Sequence, residues 1–271
     1  MENTKGIMKR CMVIDKIQYL IENHSFVFCE LVKRDFTKKY KRTILGMLWS
    51  ILSPLIMLCI LAIIFGNFFG RDIPNFVIYL FTGQVIFNYF SESTTEGMLA
   101  LQSNASIFTK INVAKYLFLF SKNISALINF FIILCIYFIA ILVSDLRLTW
   151  QYILLIYPTI CLVLINVGVG FILSALFIFF KDIQYIYRLF IQVVMYGSAI
   201  FYDIKMLPIY LQNMFYLNPI YVCIEYYRDI VLQNNIPSAN IHLLLAFYAT
   251  ALFSLGCYIY KKYNYKFLYY V

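Results

Sequence analysis

Five long uncharged stretches constrain what this chain can fold into. They run Thr43–Gly70, Ile73–Ser91, Asn123–Ser144, Leu148–Phe180 and Ile230–Tyr260. A sixth apolar segment, Ile183–Tyr202, is interrupted only by Arg188. A bilayer core of ~30 Å takes roughly 20 apolar residues of helix, and each stretch comes close to that length or exceeds it. Hydrocarbon offers no partner for a backbone N–H or C=O, so such segments must satisfy their own hydrogen bonds. The reading is an all-α, polytopic membrane protein with six transmembrane helices. Of 271 residues, 63% are hydrophobic and 13% charged, which leaves no composition for a separate soluble domain. The chain is one membrane domain, 1–271.

The expected spans are about Leu48–Phe69, Asn75–Ser91, Lys122–Val143, Gln151–Phe180, Ile183–Tyr202 and His242–Tyr260. Pro158, Gly168 and Gly170 in the fourth span allow a bend or a close helix contact. Upstream of the first span, residues 16–42 read as an amphipathic interface helix. Ile17, Leu20, Ile21, Val27, Phe28 and Leu31 share one face, and Lys33, Arg34, Lys38, Lys39, Lys41 and Arg42 follow. An apolar face with a basic end suits the headgroup layer.

The charges orient the spans. With the N-terminus inside, only Arg71, Arg147, Lys205 and Arg228 of the 22 basic residues fall outside. That asymmetry satisfies the positive-inside rule and places both termini in the cytoplasm. It also decides the aromatic stretch Met206–Ile224. A seventh span there would turn the tail lysines outward. Residues 203–241 are therefore expected to enter the outer leaflet as short helices, broken near Pro208 and at Asn218-Pro219, and to return. Proline cannot donate a backbone hydrogen bond, which favours those breaks.

Several function classes are excluded. The net charge of +9 belongs to residues flanking the spans, not to a nucleic-acid surface. No Gly-Lys dipeptide occurs, so no P-loop exists to cradle nucleotide phosphates. His24 and His242 are isolated, and the seven cysteines form no CxxC pair; no metal set is expected. The uncharged cores lack Asp and Glu, which ion-coupled carriers place near the bilayer centre. A membrane glycosyl or phosphoglycosyl transferase would need clustered metal-binding acids, and these are scattered. Tyrosines between Tyr185 and Tyr227 offer faces and hydroxyls suited to sugar rings.

Three motifs carry a family resemblance. The first is Leu31-Val32-Lys33-Arg34-Asp35-Phe36 with Tyr40-Lys41-Arg42-Thr43-Ile44-Leu45-Gly46-Met47-Leu48-Trp49 and Pro54. The second is Lys181-Asp182-Ile183 with Gln192 and Ala199-Ile200-Phe201-Tyr202. The third is Asn218-Pro219-Ile220-Tyr221 with Glu225, Tyr227, Arg228 and Asp229. Together they resemble the membrane subunit of a type-2 ABC exporter for polysaccharides or polyol phosphates, as for O-antigen, capsule or teichoic acid. Lys181 stands where that family usually has Arg, and Gly197-Ser198-Ala199 lacks its usual proline.

The resemblance implies a homodimer of permease subunits with two separate P-loop ATPase subunits, which bind the ATP and Mg; this chain binds no cofactor and is not itself an enzyme. It implies a polyprenyl-diphosphate-linked glycan as substrate in a bacterial inner membrane. A type-2 exporter of another lipid or drug is the alternative. The diphosphate entrance is assigned to Lys33, Arg34, Lys38, Lys41 and Arg42, since guanidinium and ammonium groups donate charge-assisted hydrogen bonds to phosphates. ATPase coupling is assigned to residues 104–114, with Ile107 and Phe108 as apolar anchors and Lys110 as an ionic contact. The outer gate and pathway are assigned to Tyr202, Tyr216, Asn218, Pro219, Tyr221, Glu225, Arg228 and Asp229, the last three charges forming a hydrogen-bonded cluster. A single cysteine at Lys266 should react with an impermeant thiol reagent only from the cytoplasmic side. Labelling from outside intact cells contradicts the topology.

Overall fold

The computed structural model describes residues 26–39, 45–69, 73–110, 113–144, 146–147 and 149–270, apart from the side chains of 67–69. Lys41 and Arg42 of the expected entrance lie outside these residues, as do 16–25 of the interface helix and 111–112 of the coupling region. The described residues form ten α-helices. They are α1 (26–39), α2 (Trp49–Phe69), α3 (Phe76–Leu99), α4 (Ala105–Phe108), α5 (Tyr116–Val143), α6 (Ile156–Phe179), α7 (Ile183–Tyr196), α8 (Ile209–Phe215), α9 (Pro219–Val231) and α10 (Ala239–Tyr263).

Among the described residues, four helical segments are long and apolar enough to cross a bilayer: Gly46–Gly66, Tyr116–Val143, Trp150–Phe179 and Ala239–Tyr263. The other two expected spans differ, each for a physical reason. Helix α3 has the length, 24 residues or about 36 Å, but carries Gln84, Asn88, Glu92 and Glu96. It is the central strut of the bundle, in contact with α2, α5, α6, α7 and α9. Most of its side chains are buried, Gln84 among them, while Asn88, Glu92 and Glu96 are half-buried. It also runs past Ser91 to Leu99, because Glu92 and Glu96 find partners there. Helix α7 has only 14 residues, about 21 Å. The expected continuation to Tyr202 is lost at Gly197, and Ala199 takes a left-handed backbone (φ 49°). Breaks do occur at Pro208 and at Asn218-Pro219, with α8 and α9 on either side of the second. Asn218 caps α9, its Oδ1 accepting from the Ile220 N–H at 3.0 Å, with Pro219 in the first turn as is common.

The closest packing joins α6 to α10. A Cβ added at Gly168 would sit 2.5 Å from the Leu252 carbonyl oxygen, and one at Gly256 would overlap the Gly168 carbonyl. Only glycine lets the two backbones touch. A similar approach joins α3 to α6, where a Cβ at Gly97 would lie 3.3 Å from the Gly170 Cα. One core of buried side chains fills the space between α2, α3, α5, α6, α9 and α10. A second surrounds Phe118, Phe171 and Phe267 at the end where α1 and α4 lie. Alanine at Gly168 or Gly256 must separate α6 from α10. Each should cost about 1–3 kcal/mol of overpacking strain, read as unfolding free energy in mixed micelles, while alanine at Gly66, where a Cβ meets nothing, should cost nothing measurable.

Candidate functional site

Polar groups gather at two places along α3, around Glu92–Glu96 and around Tyr79, some 13 residues or about 20 Å apart. The first gathering centres on Asp35. Its side chain is almost wholly buried, and a buried carboxylate demands donors. Arg34 gives two, from Nε at 3.0 Å and from Nη2 at 2.7 Å. Ser121 gives a third at 3.0 Å, and the Lys122 ammonium stands 3.8 Å away. Arg34 also donates to the Asn104 Oδ1 at 2.6 Å. A single guanidinium thus ties α1 to the start of the 104–114 segment. Nearby, Lys122 donates to Glu96 at 3.0 Å, Lys39 pairs with Glu92, and Asn129 donates to Glu92 at 2.8 Å.

These charges line a cavity of about 240 Å³ bounded by Asp35, Lys38, Lys39, Glu92, Glu96 and Lys122. Beyond Lys39 and Glu92 it gives way to a wider groove of about 550 Å³, with Trp49, Pro54, Met57 and Ile133 on its apolar walls. Lys38 is exposed on the cavity and Lys33 is exposed on α1. Sequence reading assigned Arg34 and Lys38 here, but neither Lys39 and Lys122 nor the acids that organise them. Asp35, the lone acid in a basic run, was the available signal. Glu92 and Glu96 gave none, since their partners are 26 to 53 residues away.

In the segment assigned to coupling, the three named residues face different ways. Lys110 is exposed and Ile107 half-buried. Phe108 is buried and packs on Phe118 with ring centres 6.0 Å apart. In this conformation Phe108 anchors the segment to its own bundle instead of offering a side chain to a partner.

The second gathering centres on Arg228, which is 3% exposed. It was expected to bond with Glu225 and Asp229. Instead its hydrogen bonds go to backbone: Nη1 donates to the Ala199 carbonyl at 2.9 Å, and Nη2 to the carbonyls of Ile200 at 3.2 Å and Tyr79 at 3.3 Å. The guanidinium carbon lies 3.4 Å from the centre of the Tyr79 ring, a close cation–π stack. Gly83 makes room for it, since a Cβ there would lie 3.3 Å from Nη2. The turn after α7 leaves the carbonyls of Ala199 and Ile200 without helical partners, and they compete successfully with the carboxylates for the donors. Tyr79 adds its hydroxyl to the Tyr202 carbonyl at 2.6 Å. Asn218 donates to the Gly197 carbonyl at 3.0 Å and the Ser198 hydroxyl at 2.9 Å. Asp229 keeps to its own neighbourhood, accepting from Gln233 at 3.1 Å. Burial raises the Glu225 carboxyl above its ordinary pKa and, with the charge of Glu225, pushes Asp229 up to about 6.

Of the tyrosines assigned to the pathway, Tyr202 and Tyr216 are half-buried. Tyr221 is fully buried, edge-on to Tyr216 and Phe215 at 5.4 and 5.5 Å. Pro219 is half-buried at the start of α9. Tyr79, which sequence reading passed over, proves central to this end. A tyrosine inside an apolar run carries no local mark of such a role.

The ten helices of the described residues, four of them long and apolar enough to cross a bilayer, with ionic networks at the helix ends, define an all-α membrane protein. The chain belongs to the ABC-2 type transporter family, whose model matches residues 27–232, and it is a non-catalytic membrane permease of that family. It is similar to the O-antigen export system permease protein RfbA of Klebsiella pneumoniae, at 27% identity over 88% of this chain and 92% of the relative. The protein of the same name from Myxococcus xanthus is 24% identical over 80% and 84%. The polysialic acid transport protein KpsM of Escherichia coli is 22% identical over 85% and 91%.

Proposed function

We propose that this chain is the permease subunit of an ATP-driven exporter that moves a lipid-linked polysaccharide across the bacterial cytoplasmic membrane. The observation that carries the reading is similarity along nearly the whole chain to permeases whose names specify O-antigen export and polysialic acid transport. Two copies of the chain form the conduit, and two P-loop ATPase subunits on separate chains bind ATP and Mg and drive it. The large apolar face of α7, with Tyr185, Ile186, Leu189, Phe190 and Val193 exposed, supports assembly with further helices. Six membrane crossings, with α3 and α7 completing the four long spans, keep both termini cytoplasmic.

In this reading the Asp35 end is the cytoplasmic entrance. Lys33, Lys38, Lys41 and Arg42 meet the diphosphate of the incoming lipid, and Arg34 holds α1 to the coupling segment. Ile107 and Lys110 touch the ATPase, while Phe108 fixes the segment to the bundle. At the opposite end α8 and α9 form the outer re-entrant gate. Tyr202 and Tyr216 face successive sugars, and Tyr221, Asn218, Pro219 and Arg228 support them. Glu225 and Asp229 set the local charge.

Deleting the chain from its host should strip long-chain polysaccharide from the cell surface and leave lipid-linked polymer inside. In the purified complex, Lys38→Ala with Arg42→Ala should lower substrate-stimulated ATP hydrolysis at least fivefold. Normal surface polysaccharide in the deletion strain contradicts the function, and normal stimulation in the double variant contradicts the entrance.

A further inference from the structure

We infer that the end of the chain holds the coupling segment in position, through a clasp made by Phe267 and the ammonium of Lys115. The inference rests on the reading of residues 104–114 as the ATPase contact. Helix α4 is a single turn of four residues with no side-chain cap, too short to hold its own shape. Its one buried side chain is Phe108. The Lys115 Nζ lies 5.9 Å from the centre of the Phe108 ring and 5.7 Å from that of Phe267. A cation between two aromatic rings is attracted by both faces. The same ammonium donates to the Asn264 carbonyl at 2.6 Å. Lys115 therefore joins α4, the start of α5 and the segment after α10 through one atom.

The tail is built for this contact. After α10 the chain makes a short turn at Lys266–Leu268. Phe267 is fully buried while Tyr265, Leu268, Tyr269 and Tyr270 beside it are exposed. Taking the Phe267 ring out of water is favourable by its apolar area, and the turn directs that one ring inward. Phe267 rests on Tyr260 of α10, ring centres 5.1 Å apart, and on Phe179 of α6 at 6.3 Å. Tyr260 in turn rests on Phe171 of α6 at 4.6 Å. Helices α6 and α10 are locked together at Gly168 and Gly256, so a shift of this pair carries Phe267 with it and moves α4.

Two measurements test the clasp. In the isolated chain in nanodiscs, amide hydrogen exchange at residues 104–110 should quicken at least tenfold in Lys115→Met, which keeps the apolar stem, and in Phe267→Ala. Lys115→Arg should stay near wild type, because it keeps a cation between the rings. In the complex with the ATPase subunits, export per ATP hydrolysed should fall at least tenfold in the first two variants and recover in the third. Unchanged exchange overturns the clasp. Faster exchange with normal export per ATP overturns its part in coupling. Normal export by Ile107→Asp in the same assay would place that failure in the reading of the segment, not in the clasp.

Discussion

The turn from Gly197 to Tyr202 needs hydrogen-bond partners that its own backbone does not supply, and the structure around it follows from that need. Unwound backbone within a membrane protein is tolerated only where protein or enclosed water satisfies it. Here the partners come from three residues on two other helices: Arg228 in α9, Asn218 at the cap of α9 and Tyr79 in α3. A guanidinium suits the task because its donors fan out in a rigid fork and can reach several carbonyls at once. The Tyr79 ring stacks on the cation and its hydroxyl serves the same turn. The turn, α9 and the start of α3 therefore stand or fall together. Burying one cation there costs desolvation, offset by carbonyl dipoles and the ring face instead of by a carboxylate.

The other end of α3 solves a different problem with different chemistry. It gathers full charges of both signs, and Asp35, Glu92 and Glu96 each meet a basic partner. The pairs join α1, α3 and α5, and Arg34 also links α1 to Asn104. Exposed pairs contribute little to stability, but Asp35 is buried and its donors fix where α1 lies. The central helix thus meets a backbone-satisfying cation, held by α9, at one end and ion pairs at the other.

Much of this was legible in the sequence. The long uncharged runs locate the helices because bilayer thickness sets a minimum length, and the Asn218-Pro219 break is local chemistry that any helix would obey. The misses share a cause. Helix α7 stops at Gly197 although Ala199-Ile200-Phe201-Tyr202 is apolar enough to continue, because Arg228 and Tyr79 stabilise the turn from 29 and 123 residues away. Helix α3 extends to Leu99 because distant lysines neutralise its acids. Phe108 turns inward because Phe118, Lys115 and Phe267 make a place for it. Local pattern shows which residues prefer hydrocarbon. It does not show which carbonyl an arginine will reach, and the charges around Arg228 suggested carboxylates when the nearer need was backbone.

The account is tested most directly by the unfolding free energy of Arg228→Met in mixed micelles, measured beside Glu225→Gln. Methionine keeps much of the volume but removes three charge-assisted hydrogen bonds, to the carbonyls of Tyr79, Ala199 and Ile200. A hydrogen bond from a charged group contributes roughly 1.5–3 kcal/mol, so losing three predicts a loss of at least about 3 kcal/mol for Arg228→Met and under about 1 kcal/mol for Glu225→Gln, whose carboxylate makes no direct bond to Arg228. Equal losses in the two variants, or a loss in Arg228→Met below about 1 kcal/mol, would contradict it.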